Sequence, residues 1–267
     1  MTVKPIVRYG ILGAVILSAI VVVLLHAPVP QDPVFHNFAD QRAVCGIPNF
    51  WNVASNLLFL AVGLAGIIYT LMKWRSAGYD SVFSRSSLVF FLGIFLTAIG
   101  SAYYHHAPSN QRLVWDRLPM TIAFMAFTSV VIGRYMSRHL GHYVLWPFIF
   151  MGLASVMYWY MTESRGVGDL RFYMLIQFLP MILIPLILLM FQGNDRNRIY
   201  FWIIAGIYLL AKISEAFDWE IYRHLSGFSG HTIKHILSAL APFVFLLWMM
   251  RENRERNASH EASGQRN

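Results

Sequence analysis

The feature that most constrains this chain is a series of eight apolar segments, each long enough to cross a lipid bilayer. They lie at about residues 5–26, 49–74, 83–104, 113–136, 143–161, 172–191, 199–217 and 231–250. A spanning helix needs about 20 mostly apolar residues and satisfies its own backbone hydrogen bonds, because the bilayer core holds no water. The pattern predicts an all-α membrane protein: a seven-transmembrane helical bundle with an additional N-terminal transmembrane segment.

The composition excludes a soluble globular enzyme. Of 267 residues, 57% are hydrophobic and only 13% are charged, whereas about a quarter are charged in an ordinary soluble domain. The single cysteine, Cys45, also excludes a disulfide framework, a cysteine-rich zinc finger and an iron–sulfur cluster, since each needs several thiols. Any metal must therefore be held by histidines and carboxylates.

The basic residues are concentrated in short loops, and the chain's formal net charge of +8 is interpreted as a topology signal and not as evidence of a nucleic-acid site. Cytoplasmic loops of membrane proteins carry an excess of Lys and Arg. With a cytoplasmic N-terminus, the following all fall inside: Lys4, Arg8, Lys73, Arg75, Arg85, Arg134, Arg138, Arg196, Arg198, Arg251, Arg254, Arg256 and Arg266. The pattern predicts an even number of spans with both termini cytoplasmic.

The chain divides into three parts. Residues 1–28 resemble a signal peptide, but Pro28, Pro30 and the lack of a clear A-x-A motif favour an uncleaved N-terminal transmembrane anchor. Residues 29–250 form one seven-transmembrane domain. Residues 251–267 form a polar cytoplasmic tail without an apolar face, which we expect to be disordered.

Polar residues inside the spans mark a candidate functional site, because ionisable groups at bilayer depth are costly. They come from five segments and lie near the predicted non-cytoplasmic ends: Asn52, Ser55, Asn56, Ser101, His105, His106, Asp116, Glu215, Asp218, His231 and His235. Tolerated polar residues scattered at random would not converge at one membrane level. We therefore place the active site toward the non-cytoplasmic face.

Two histidines at helical spacing indicate a metal site. His231 and His235 are four residues apart, so their rings project from one helix face and can bind one metal. Ser101 and His105 have the same spacing, and Asp116 follows after a short loop. Three neutral imidazoles with an open fourth position form a common catalytic zinc geometry that needs no cysteine.

These motifs together resemble the alkaline ceramidases, seven-span zinc-dependent membrane hydrolases related to the progestin/adiponectin-type receptors. The resemblance covers residues 38–248, and the motifs match in order and spacing: Asn52-Val-Ala-Ser55-Asn56, Ser101-Ala-Tyr-Tyr-His105, Asp116-Arg-Leu-Pro119-Met120 and His231-Thr-Ile-Lys-His235.

The resemblance implies that His105, His231 and His235 bind zinc. It also implies catalytic roles for Asp116, acting on water, and for Ser101, acting on the developing oxyanion. The implied substrate is the amide of ceramide or a related N-acyl sphingoid base in the bilayer, hydrolysed to a free sphingoid base and a fatty acid.

One departure concerns calcium. Animal members of that family have a calcium site in an acid-rich segment before the second span, whereas residues 40–50 here contain a single carboxylate, Asp40. Calcium takes six to eight oxygen ligands, several of them charged. We therefore expect no calcium site there.

Two other functions remain open on the residues alone. A receptor of the related seven-span group would hold a structural zinc, and a haem protein would use paired histidines as axial ligands. An intact set of serine, aspartate and three histidines favours the enzyme. Haem is disfavoured because His231 and His235 lie on one face of one helix and cannot take opposite axial positions.

Three further expectations concern neighbouring polar residues. Glu215 or Asp218 is expected to hydrogen-bond a histidine ring and fix its tautomer, as metal-site carboxylates often do. Lys234 is expected to extend to the membrane interface. Asn52, Ser55 and Asn56 are expected to tie helices together.

Overall fold

A computed structural model describes residues 4–74, 81–191, 196–225 and 227–264. These ranges contain no named strand and the following α-helices: α1 (Pro5–Leu25), α2 (Phe50–Ala54), α3 (Asn56–Trp74), α4 (Ser81–His106), α5 (Asn110–Tyr135), α6 (Arg138–Ser164), α7 (Arg171–Met190), α8 (Ile199–Ala216), α9 (Asp218–Leu225) and α10 (Gly230–Gly264).

The predicted all-α membrane class is confirmed. Within the described ranges, eight helical stretches are long and apolar enough to span a membrane, with α2 and α3 together forming one of them, Phe50–Trp74. The break between α2 and α3 falls at Ser55. Two of the basic residues used to predict the topology, Arg75 and Arg266, lie outside the described residues.

The bundle is built around α5, which has buried residues along most of its length and packs against α4 and α6. Close contact between α4 and α5 depends on Gly100, where an added Cβ would lie 1.9 Å from the backbone oxygen of Trp115. Small residues permit such backbone approach in membrane bundles. The approach sets Ser101 of α4 beside Asp116 of α5.

Buried aromatic rings fill the opposite half of the bundle. Phe245 of α10 packs edge-on against Phe90 and Phe127 and stacks on Trp248, with ring centroids 5.3, 5.5 and 5.4 Å away. Buried hydroxyls also lie in this half, where Ser86 and Ser129 are 2.9 Å apart, whereas the three buried histidines and Asp116 lie at the other end.

Helix α1 lies on the outside of the bundle against α7, and Leu12 is its one buried residue among those described. Arg171 at the start of α7 donates to the carbonyl oxygens of Val23 and His26, where α1 ends. The same guanidinium pairs with Asp169 at 2.8 Å and, by hydrogen bonding, lowers the pKa of that loop carboxyl.

The residues that follow α1 cross the polar end of the bundle and form what we call the cap segment, residues 29–41. It is fixed by hydrogen bonds from the Leu170 amide to the Val29 carbonyl (2.8 Å) and from Arg117 to the Gln31 side chain (2.6 Å). His36 contacts the Tyr104 hydroxyl at 2.8 Å. The cap segment is therefore held by α4, α5 and the residue that precedes α7.

The expectation of a disordered tail is wrong for the described part, because α10 continues without a break to Gly264. Polar contacts stabilise the turns of α10 that directly follow its apolar region. Glu252 pairs with Arg134 at 2.9 Å and accepts from Asn197 at 3.2 Å. Arg251 and Glu255 form an i,i+4 ion pair, which supports helix on a solvent-exposed surface.

Candidate metal centre and catalytic cavity

Three buried histidines meet at the polar end of the bundle. His105 lies in the last turn of α4, and His231 and His235 lie in the first two turns of α10. One ligand atom from each ring lies within 4.8 Å of the others, and the rings are 1 to 5% exposed. The structure thus brings together the three histidines that the sequence analysis selected.

The spacing of one pair of ring nitrogens fits a shared zinc ion. Nε2 of His231 and Nε2 of His105 are 3.3 Å apart. Two nitrogens that each lie about 2.0–2.1 Å from one tetrahedral zinc are separated by about 3.3–3.4 Å. All three donors are imidazoles, which are ligands that zinc favours. Because the rings converge on one point from two helices, they do not form opposite axial positions for haem.

Ser55 contacts one histidine of the candidate metal centre, a contact that the sequence analysis missed. Its hydroxyl lies 2.8 Å from Nδ1 of His235 and 3.3 Å from the backbone oxygen of Asn52. If the hydroxyl donates to that carbonyl, it accepts from Nδ1–H and leaves Nε2 of His235 free as a ligand. Among the described residues, Nδ1 of His105 has no such partner.

The expectation that Glu215 or Asp218 contacts a histidine ring is wrong. Asp218 accepts hydrogen bonds from the backbone amides of His231 (2.7 Å) and Ala39 (2.9 Å). Asp218 lies next to the start of α10, and the first backbone amides of a helix need acceptors from outside it. Asp218 therefore fixes the start of α10 and the cap segment together. Glu215 is bound by two lysines instead.

Lys234 does not extend to the membrane interface, contrary to expectation. Its side chain is 14% exposed, and its Nζ lies 2.9 Å from Glu215 and 3.3 Å from Nε2 of His231. Glu215 also pairs with Lys212. Ionisable groups inside membrane bundles pair with one another, and the Glu215 carboxylate is the partner of this buried ammonium.

The cap segment covers the histidines through Phe38. The ring of Phe38 is 3% exposed, and its centroid lies 4.7 Å from that of His105 and 4.6 Å from that of His231. An apolar ring in this position covers the imidazoles of His105 and His231. No signal in the sequence distinguished Phe38 from the other aromatic residues.

Ser101 and Asp116 lie on the adjacent helices α4 and α5, at the same end of the bundle as the histidines. Ser101 is 2% exposed and Asp116 is 7% exposed, and the serine hydroxyl interacts with the carboxylate. Both line the same cavity as His235 and Lys234. A buried carboxylate, a hydroxyl and one of the three candidate metal ligands therefore line one cavity.

The cavity extends from these polar groups into the apolar interior of the bundle. It has a volume of about 400 Å³, within the usual range of about 300–1,000 Å³ for small-molecule sites. Its walls come mainly from α4, α5, α7, α8 and α10 and are largely apolar, including Phe90, Phe127, Ile184, Trp202 and Pro242. Such a shape suits a hydrocarbon chain whose polar end reaches the histidines.

The one carboxylate of residues 40–50 is already paired. Asp40 is 1% exposed and accepts from Nε and one terminal nitrogen of Arg42 at 2.8 and 2.6 Å. The Asp40 carboxylate correspondingly raises the pKa of Arg42. The same guanidinium donates to the Gly227 carbonyl at 2.6 Å, so an arginine joins the two loops near the start of α10.

The sequence matches the family model described as Ceramidase over residues 40–263. A comparison with curated proteins found no match. The family match includes every residue assigned above to the histidine centre and to the polar end of the cavity, and it leaves α1 and most of the cap segment outside. The chain therefore belongs to the Ceramidase family and is a membrane hydrolase that acts on the amide bond of ceramide.

Proposed function

We propose that this enzyme is zinc-dependent and cleaves the N-acyl amide of ceramide into a free sphingoid base and a fatty acid. The observation that carries the proposal is the 3.3 Å separation of Nε2 of His105 and Nε2 of His231 at the polar end of an apolar cavity. His105, His231 and His235 would hold the ion. A bound zinc polarises a carbonyl and makes water a stronger nucleophile near neutral pH.

Asp116 is the proposed general base and acid. Its carboxylate is buried in the cavity wall, where it can take a proton from the attacking water and return it to the leaving nitrogen. Positioned proton transfer of this kind contributes about 10²–10⁴-fold to a rate. Asp116 does not belong to the group of three histidines, which supports a role in proton transfer rather than in holding the metal.

Ser101 is the proposed donor to the amide oxygen as negative charge develops on it. Its hydroxyl is buried next to Asp116 and faces the cavity. Removing one such donor costs about 10²–10³-fold in turnover in other hydrolases. The apolar walls hold the acyl chain, and Phe38 limits the access of bulk water to the polar end.

For the membrane arrangement, we propose that both termini are cytoplasmic and that the histidine centre lies toward the non-cytoplasmic face. The supporting observation is the concentration of Lys and Arg in the loops at the other end of the spans. Residues 1–28 then act as an uncleaved anchor, and the tail from residue 251 lies in the cytoplasm.

The test uses full-length protein in lipid nanodiscs with ceramide as substrate. Purified protein is expected to hold about one zinc, to release sphingoid base and fatty acid in equal amounts, and to lose most of the metal in His105→Ala or His231→Ala. Asp116→Asn is expected to keep zinc while turnover falls about 100-fold or more. Asp32→Asn, on the exposed part of the cap segment, is the matched control.

The outcomes separate the enzyme from the related receptor class. Near-normal ceramide hydrolysis by zinc-loaded Asp116→Asn contradicts the proposed mechanism and favours a structural metal. Loss of zinc in Asp116→Asn would instead make this carboxylate a ligand.

A further inference from the structure

The cavity contains a cation that the proposed reaction does not use. Lys234 of α10 lines the polar end of the cavity together with Ser101 and Asp116. Its ammonium is held by Glu215 at 2.9 Å. A charged group buried in a membrane bundle is costly and marks a functional site.

The hydrogen-bonding capacity of Lys234 is only partly used by fixed partners. An ammonium has three donors and no acceptor. Glu215 takes one donor, and a second points to Nε2 of His231 at 3.3 Å. A ring nitrogen that binds a metal cannot also accept a hydrogen bond, so metal loading frees the second donor. Two donors are then available to a ligand in the cavity.

The charge around Lys234 selects the sign of that ligand. Glu215 is shared between Lys212 and Lys234, and the Asp116 carboxylate lines the same cavity. The preference for an anion therefore comes from direct contact with the Lys234 ammonium, whose free donors a protonated amine cannot accept. A carboxylate has two oxygens that can accept both free donors, and hydrogen bonds between charged groups are stronger than neutral ones.

We propose that Lys234 is a specificity-determining residue that binds the carboxylate of a long-chain fatty acid whose hydrocarbon chain occupies the cavity. This inference rests on the proposed function, because the fatty acid is the acyl product of that reaction. The sphingoid base, which carries an amine, is disfavoured at the same position and leaves first. Free fatty acid is therefore expected to be the tighter-binding product and a competitive inhibitor.

Direct binding tests the proposal without relying on turnover. Affinities of palmitate, hexadecanol and hexadecylamine are measured by scintillation proximity on full-length protein in nanodiscs, both zinc-loaded and chelator-treated. The variants are Lys234→Met, Lys234→Arg and, as the matched control, Lys212→Met, since Lys212 contacts the same Glu215 but does not line the cavity. In Lys234→Met, Glu215 keeps Lys212 and is not left unpaired.

Wild-type protein is expected to bind palmitate at least about tenfold more tightly than either neutral or cationic analogue. Lys234→Met should lose about tenfold in palmitate affinity in both metal states, while its hexadecanol affinity and the palmitate affinity of Lys212→Met stay within about threefold. Equal binding of the three ligands by wild-type protein overturns the proposal even if Lys234→Met fails to fold.

Ceramide turnover by the same preparations reports separately on the proposed function. If wild-type protein hydrolyses ceramide but Lys234→Met keeps the wild-type affinity for palmitate, this inference is wrong and the proposed function stands. A palmitate preference that depends on Lys234, in protein that releases no fatty acid from ceramide, overturns the proposed products and leaves the carboxylate site standing.

Discussion

Replacing Ser55 with alanine tests whether the hydroxyl beside His235 supports metal binding. The hydroxyl lies 2.8 Å from Nδ1 in a site where His235 is 2% exposed, so no water takes its place without rearrangement. With zinc on Nε2, Nδ1 carries a proton, and a buried donor without an acceptor costs about 1–3 kcal/mol. The metal-free ring avoids this cost by changing tautomer, so the loss falls on the zinc-bound state.

Ser55→Ala is therefore expected to weaken zinc binding by about 10–100-fold, or about 1.4–2.8 kcal/mol. The measurement is competition with a chromogenic zinc chelator on purified protein. Ser238→Ala is the matched control, because Ser238 lies on α10 one turn beyond His235 and also lines the cavity. Zinc affinity within twofold of wild type in Ser55→Ala, or an equal loss in Ser238→Ala, refutes the reasoning.

Three further predictions concern topology, calcium and packing. The single native cysteine, Cys45, is exposed and lies on the predicted non-cytoplasmic side. An impermeant thiol reagent should therefore label wild-type protein in intact cells, but it should not label the double variant Cys45→Ser/His139→Cys, whose cysteine is on the predicted cytoplasmic side. The reverse labelling pattern contradicts the topology. Ceramide hydrolysis should survive a calcium-selective chelator, because Arg42 already pairs with the one nearby carboxylate, and a loss that calcium restores would disprove this. Gly100→Ala should destabilise the protein by about 1–3 kcal/mol, because the added Cβ meets the backbone of α5. Gly13→Ala is the control and should not destabilise it, because nothing lies within 4 Å of its added Cβ. Equal thermal unfolding temperatures for the two variants would contradict the packing argument.

Helix type and the approximate positions of the spans were predictable from sequence, because lipid imposes a constraint that acts on each segment by itself. A run of about 20 apolar residues has no stable alternative to helix in a bilayer. The i,i+4 spacing of His231 and His235, and of Ser101 and His105, likewise places the rings on helix faces without knowledge of neighbouring helices. Alternating span direction then brings the polar ends to one level.

The end of α10 shows where this reasoning stops. From sequence, residues after 250 lack an apolar face, which is typical of disorder. In the structure, Arg134 of α5 and Asn197 contact Glu252 and stabilise helix there. The partners are 118 and 55 residues away, so no local pattern predicts them.

The chemistry around the histidines was decided by tertiary structure. Sequence selected His105, His231 and His235, but it assigned their support to Glu215 or Asp218, whereas the ring of His235 contacts Ser55, which is 180 residues away. Lys234 shows the same limit, since a lysine near a span end either reaches water or stays buried. Only the packing of α8 against α10, which places Glu215 2.9 Å away, makes the buried position favourable.

Sequence by itself thus determined the helical membrane architecture and the residues able to bind a metal, because bilayer burial and helical period depend on residues close together in the chain. Tertiary structure decided that Phe38 covers the imidazoles, that Ser55 orients one of them, and that Lys234 faces the cavity. These contacts join residues far apart in the chain, and their free energies depend on distances of a few ångströms that only the packed bundle sets.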